Sequence, residues 1–309
     1  MFSHHRLLIV SGKGGVGKSS VAAAIAIGLA DQGKRVLLAE TENRQAIAAL
    51  FGRGPLGYQE KLLLRRESGG EVHGIAIDPA GALLDYLDMF YKLRSAGSIL
   101  ERIGAVSFIS NVAPGLRDIL LTGKACEAVR RKSGDTWAYD VVVLDAPPTG
   151  RITRFLNVTA EVVGIVKVGP IKQQANWVSE VLHSDQTGIL LVTTPEEMPI
   201  RETIEASNQL REMKFRLAGV IVNMVAPDQL TKEEAISLES PSAVDLLEGP
   251  TELVEPLMAF AKAEQLLRAT QSDQLRPLQT LDTEMIELPK LGNSLDLLRV
   301  TDLAKRLTS

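Results

Sequence analysis

The sequence predicts an α/β fold built on a doubly wound, mostly parallel sheet with small helical insertions. Three observations predict it. Short apolar runs recur along the chain with helical crossovers between them, as parallel strands require. The first run, Leu7-Leu8-Ile9-Val10-Ser11, ends in the glycine-rich turn Gly12-Lys13-Gly14-Gly15-Val16-Gly17, which opens into an alanine-rich helical stretch over residues 21–26. The 309 residues are 45% hydrophobic and 23% charged, an ordinary soluble composition with enough apolar chain for a substantial core. One domain over residues 1–309 accommodates all of this, with helical insertions at about 78–132 and 151–185.

Taken in order, the octet from Gly12 to Ser19 fits G-x-x-x-x-G-K-[ST], the phosphate-binding P-loop. Gly12, Gly14, Gly15 and Gly17, with Val16, let the backbone wrap a phosphate so that several N–H groups converge on it. The helix that begins near Lys18 adds the positive end of its dipole at the same place. Lys18 is expected on the β- and γ-phosphates, the Ser19 hydroxyl on Mg2+, and Ser20 on the α-phosphate. ATP and Mg2+ are therefore the expected cofactors.

Position 13 is a second lysine, which gives Gly-Lys-Gly-Gly-Val-Gly-Lys. This deviant loop resembles that of the dimeric ATPases related to MinD, nitrogenase iron protein and ArsA. The resemblance implies a P-loop NTPase fold of the deviant Walker A class. It also implies a dimer in which Lys13 crosses the subunit interface and neutralises transition-state charge on the partner's nucleotide, as an arginine finger does elsewhere.

After the first helix Gly33 supplies a stop, and Arg35-Val36-Leu37-Leu38-Ala39-Glu40 reads as a buried parallel strand. Its end continues as Thr41-Glu42-Asn43-Arg44-Gln45. Here the resemblance narrows to the ArsA family, which includes arsenite-pump ATPases and the ATPases that guide tail-anchored membrane proteins. That family carries Ser-Thr-Asp-Pro-Ala at these positions, and its aspartate orients the water that attacks the γ-phosphate. Glu42 takes that place with one extra methylene, so slow hydrolysis is expected. The alternative is a non-catalytic, nucleotide-gated subunit whose paralogue does the chemistry.

Further strands are expected at residues 72–77, 141–145, 189–193, 217–223 and 285–288, with site residues at their carboxyl ends. Asp145 closes the apolar run Val141-Val142-Val143-Leu144, the Walker-B arrangement that holds Mg2+ through water. The family's second switch reads Asp-Thr-Ala-Pro-Thr-Gly-His-Thr-Leu-Arg-Phe-Leu. This chain matches it at Asp145, Pro148, Thr149, Gly150, Arg154, Phe155 and Leu156, while Arg151 replaces the histidine. The resemblance thus implies that Pro148, Thr149 and Gly150 sense the γ-phosphate. It further implies that Asn223 reads the adenine edge and that Pro289 and Leu291 line the base. A final helix is expected over residues 294–307, and the resemblance runs from Leu7 to the end, closest to bacterial ArsA-like ATPases that occur as paralogous pairs. The implied partner is a second copy or such a paralogue.

The insertions test for a client. Tail-anchored targeting proteins build a methionine-rich groove there for a transmembrane helix, but only Met89 of seven methionines falls in either insertion. Helices that cover the sheet are favoured, with a hydrophobic membrane-protein client kept as the alternative. An arsenite pump needs several thiols to sense the metalloid. Cys126 is the single cysteine, read as a small buried hydrophobe, and the four histidines show no ligand spacing. Residues 251–273 read as an amphipathic surface helix whose polar face is not dominated by Lys and Arg, which is not a membrane anchor. The net charge of −4 and pI of about 5.7, without a basic run, argue against nucleic-acid binding. The amino terminus runs straight into the first strand and no apolar run is long enough to span a bilayer, so a cytoplasmic protein without stable membrane insertion is expected.

Overall fold

The computed structural model describes residues 2, 4–42, 44–91, 114–157, 170–227, 251–292 and 296–308. Asn43, the apolar stretch 103–109 and much of both expected insertions lie outside the described residues. The sheet strands are β1 (Leu7–Gly12), β2 (Arg35–Glu40), β3 (Lys61–Arg65), β4 (Glu71–Ala76), β7 (Val141–Asp145), β8 (Thr187–Thr193), β9 (Leu217–Val225) and β10 (Met285–Pro289). A separate small hairpin pairs β5 (Lys132–Ser133) with β6 (Thr136–Trp137). The eight strands lie in the order β10-β9-β8-β1-β7-β2-β4-β3. Every pairing is parallel except β3 with β4. The carboxyl ends of seven strands therefore share one edge, with β1 where successive crossovers leave in opposite directions. Ligands of open α/β sheets bind there.

Strand alternation sends each strand's side chains to two cores. Leu8, Val10, Val36, Leu38 and Val143 join one cluster with α1 (Lys18–Asp31) and the carboxyl-terminal α9 (Leu297–Thr308). Leu7, Ile9, Leu37, Ala39 and Leu144 join the other. That second face is covered by α4 (Pro114–Arg130), α5 (Thr149–Leu156), α6 (Pro170–Leu182) and α7 (Glu197–Glu212). This is the doubly wound α/β sheet that the sequence predicts. The remaining helices are α2 (Ala46–Leu50), α3 (Pro79–Tyr91) and α8 (Thr251–Leu275).

α1 is apolar on nearly every side because it is covered on nearly every side: from Val21 to Ala30 no residue is exposed. It lies between the sheet and α9, and a Cβ at Gly28 would stand 2.5 Å from Thr308 Cγ2 and 3.2 Å from the Ala304 carbonyl oxygen. That close approach fixes the helix axis, and with it the position of the loop that opens it.

Two sequence readings are corrected. The strand β3 was not expected, because Lys61-Leu62-Leu63-Leu64-Arg65 buries only Leu63 and has charged ends. Those features suit an antiparallel edge strand, where charges discourage further pairing. The long helix is α8, but its apolar side chains do not gather on a buried face. Val254 and Met258 are buried, while Leu257, Phe260, Leu266 and Leu267 are exposed. Among the described residues it packs chiefly against the short 3-10 segment Arg276–Leu281 and α7, which offer it little apolar surface.

Cys126 on α4 has no exposed surface, and burial pushes its thiol up to about 12. Little thiolate therefore forms near neutral pH. The native protein at pH 8 is expected to leave Ellman's reagent unreacted until guanidinium unfolds it. Rapid stoichiometric labelling of the native protein would contradict the burial.

Candidate functional site

The loop between β1 and α1 is shaped by two glycines. Gly12 ends β1 with its Cα against β8; a Cβ there would lie 2.1 Å from the Val192 carbonyl oxygen. Gly17 caps α1 in the left-handed region at φ 87°, and a Cβ there would lie 2.4 Å from Asn223 Nδ2. Gly14 and Gly15 stand in open space and are exposed. α1 has no side-chain cap and no acidic residue in its first turn. The positive end of its dipole thus meets no carboxylate of its own helix, an arrangement suited to a ligand anion.

Beneath that helix end the Ser19 hydroxyl donates to Asp145 Oδ2 at 2.6 Å. The two residues come from the first turn of α1 and the end of β7, adjacent to β1. Asp145 is buried, and its carboxyl is pushed up to about 6, mainly by burial. The Ser19 hydrogen bond and Lys18 pull it down, while Glu40 and Glu42 push it up. Lys18 is also buried and donates from Nζ to the Lys13 carbonyl oxygen at 3.2 Å. Burial lowers its pKa, opposed by Asp145 and Glu42. One cationic and one anionic side chain thus meet at the helix end.

The donor set can be tested for Mg2+. Asp145 Oδ1 is buried without a hydrogen-bond partner. Among the described residues no group of three or more His, Cys, Asp or Glu side chains is placed to hold a metal ion. A site with one hydroxyl and one carboxylate does not suit a zinc or calcium cage. It fits Mg2+, which keeps several waters and takes its other ligands from phosphates.

Lys13 is engaged within its own chain. Its Nζ lies 2.6 Å from Glu202 Oε1, each side chain about one-third exposed. Thr149, the first residue of α5, donates from Oγ1 to Glu202 Oε2 at 3.2 Å. Glu202 on α7 therefore ties the glycine-rich loop to the helix after β7. Pro148 caps that helix in an extended conformation, and Gly150 faces open space. The Ser11 hydroxyl donates to the Pro147 carbonyl oxygen at 2.7 Å, which holds the turn before α5 against β1.

The loop after β2 closes on the same turn. Glu42 pairs with Arg44 at 3.1 Å and with Arg151 at 3.8 Å. Both arginines are more than half exposed, so each pair adds little stability. Their effect is positional: Arg151 joins the loop after β2 to α5. Thr41 strengthens that link, donating to the Asp145 carbonyl oxygen at 2.9 Å.

On the other side of the loop Asn223 is buried and donates from Nδ2 to the Val16 carbonyl oxygen at 2.9 Å. It braces the loop from β9. Met224 follows at φ 60°, a left-handed conformation unusual for its residue type. Pro289 lies beside Val225 through a shift in the β9–β10 register, and Lys290 N–H donates to the Val225 carbonyl oxygen at 2.8 Å. Leu291 packs partly buried against the α1-side core. Asn223 is thus tied to the loop from β9, with Pro289 on the neighbouring strand and Leu291 just past it, while Lys13 and Thr149 meet at Glu202 and Glu42 reaches α5 through Arg151.

Comparison with known proteins shows the family. The profile described as anion-transporting ATPase matches residues 5–175 and 164–245. The chain belongs to this family. It is 43% identical to ATPase BagA of Mycobacterium tuberculosis over 98% of this chain and 92% of that protein. It is also 33% identical to ATPase GET3 of Kluyveromyces lactis over 50% of this chain and 45% of that one. The ArsA-like resemblance read from the loop and second switch is borne out at the level of the family. Sequence reasoning did not find Glu202 or the pairing of Arg151 with Glu42. A glutamate and an arginine on two separate helices carry no local pattern, and tertiary packing alone brings them in.

Asn223→Ala removes a buried bond and leaves the Val16 carbonyl unpaired, which is expected to cost about 1–3 kcal/mol. Urea unfolding followed by circular dichroism should show a lower midpoint at unchanged slope; an unchanged midpoint would remove Asn223 as the loop's brace.

Proposed function

We propose that the chain is a Mg2+-dependent, ATP-hydrolysing switch that works as a dimer, with a second copy or a paralogous ATPase, and passes its nucleotide state to a partner or client protein. The observation that carries this reading is the Ser19–Asp145 bond beneath an uncapped helix end that also holds Lys18. In it, Gly12, Gly14, Gly15, Val16 and Gly17 cradle the phosphates with Lys18, Ser19 and Ser20. Ser19 binds Mg2+ directly and Asp145 does so through water. Pro148, Thr149 and Gly150 respond to the γ-phosphate, and Asn223, Pro289 and Leu291 surround the base. The whole chain acts as one ATPase domain. Among the described residues no helix is long and apolar enough to cross a membrane.

One observation bears on turnover. Glu42, which orients attacking water in this reading, pairs with Arg44 at 3.1 Å and with Arg151 at 3.8 Å, and both pairs compete with that water for its oxygens. This supports slow hydrolysis, and it also supports the second reading of a nucleotide-gated subunit without turnover. Measuring ATP turnover and assembly state together, with and without the paralogue, tests the proposal. Glu42→Gln is expected to lower turnover about 10²-fold while ATP binding persists; an unchanged rate would take the base away from Glu42.

Lys13 acts across the dimer only after it leaves Glu202. A pair one-third exposed is worth about 0.2–1 kcal/mol. Glu202→Ala should therefore tighten ATP-dependent dimerisation by up to about fivefold per released lysine, read by analytical ultracentrifugation. Weaker or unchanged dimerisation would show that Glu202 does not restrain Lys13.

A further inference from the structure

One buried acid beside the site is not used by the functions assigned above. Glu40 is the last residue of β2 and only 1% exposed, and neither carboxylate oxygen has a hydrogen-bond partner. It is the in-register neighbour of Asp145 on β7. Strand alternation places both on the face that carries α1, since Val36 and Leu38 on β2 and Val143 on β7 pack into the α1-side core. Neighbouring strands lie about 4.8 Å apart, so the two carboxylates are adjacent, with Glu40 reaching one methylene farther.

Three buried carboxylate oxygens therefore lack a partner in one place: Glu40 Oε1, Glu40 Oε2 and Asp145 Oδ1. Buried polar atoms are almost always bonded, and an unpaired buried carboxylate is among the least tolerable of them. The nearby lysine does not serve Glu40, because Lys18 Nζ is turned to the Lys13 carbonyl. Thr41, the next residue, bonds the Asp145 main chain rather than either side chain. What the three oxygens lack is several O–H donors, and two acids side by side call for positive charge beyond that of Lys18. A hydrated divalent cation supplies both.

We propose that Glu40 is a second acidic anchor for the hydrated Mg2+ of this site, accepting hydrogen bonds from the cation's waters beside Asp145. The inference rests on the nucleotide-site reading above. It places Glu40 in the outer shell of the cation and leaves phosphate binding to the loop. Removing its carboxylate should therefore weaken the metal without weakening metal-free nucleotide.

The test uses the full chain with ADP, which avoids turnover, and Mn2+ as a paramagnetic stand-in for Mg2+. Free Mn2+ is followed by electron paramagnetic resonance, and ADP affinity in EDTA by calorimetry. Wild type is compared with Glu40→Gln, Glu40→Ser and Glu40→Asp, each checked by circular dichroism. Loss of an outer-shell partner typically costs 10–100-fold in metal affinity. Glu40→Gln and Glu40→Ser are thus expected to bind Mn2+ at least about tenfold more weakly, with Glu40→Asp between them and wild type and ADP affinity in EDTA unchanged. Mn2+ affinity within twofold of wild type in a folded Gln or Ser variant overturns the assignment. Equal weakening of ADP with and without metal also overturns it, since that is the mark of a structural role. If Gln and Ser variants do not fold, Mn2+ affinity of Glu40→Asp equal to wild type overturns it, and a loss with ADP in EDTA unchanged supports it. A wild-type protein that binds neither ADP nor Mn2+ removes the nucleotide reading instead, a failure distinct from an unchanged Glu40 variant.

Discussion

The 2.6 Å bond from Ser19 to Asp145 is the contact on which the arrangement of the site depends. It joins the first turn of a helix to the last residue of a neighbouring strand, 126 residues later in the chain. Because Asp145 is buried, the bond forms in surroundings where a lost partner is costly. It fixes where the helix dipole points relative to the acids at the sheet edge. The three side chains Lys18, Ser19 and Asp145 then share one small volume of opposed charge.

Packing far from the site makes that bond possible. β1 is flanked by β7 and β8, so the loop after it is held from both sides. α1 is clamped between the sheet and α9, with Gly28 allowing the close approach. Asn223 reaches the loop from β9, and Ser11 ties β1 to the turn before α5. Against this rigid frame the surrounding contacts are of another kind. Glu42 with its arginines and Lys13 with Glu202 are partly exposed ion pairs, which are weak and exchangeable. Exchangeable pairs around a braced loop are what the proposed two-state switch relies on.

Much of this was legible in the sequence because it is local. The octet from Gly12 to Ser19, the aspartate closing 141–145 and the second-switch match each place chemistry by short-range pattern. The parallel sheet followed from apolar runs of the right length. The edge strand β3 was not legible, since its apolar run is only Leu62-Leu63-Leu64 between charged ends, too short to mark a strand. The exposed apolar residues of α8 escaped for a related reason: periodicity records which residues are apolar, but not whether the fold provides a surface to cover them. Glu202 and Glu40 were missed because their meaning depends on what lies across a helix pair or in the next strand. Glu40 did leave a trace, a charged residue ending a strand otherwise buried on both faces.

Calorimetric titration of the purified full chain with MgADP and MgATP tests the nucleotide site most directly, with Lys18→Ala as the comparison. Saturable binding of one nucleotide per chain is expected for the wild type, and its loss is expected in a Lys18→Ala protein with unchanged circular dichroism. A folded wild type that binds neither nucleotide, or a Lys18→Ala protein that binds as well as the wild type, would contradict the assignment of this loop to phosphate.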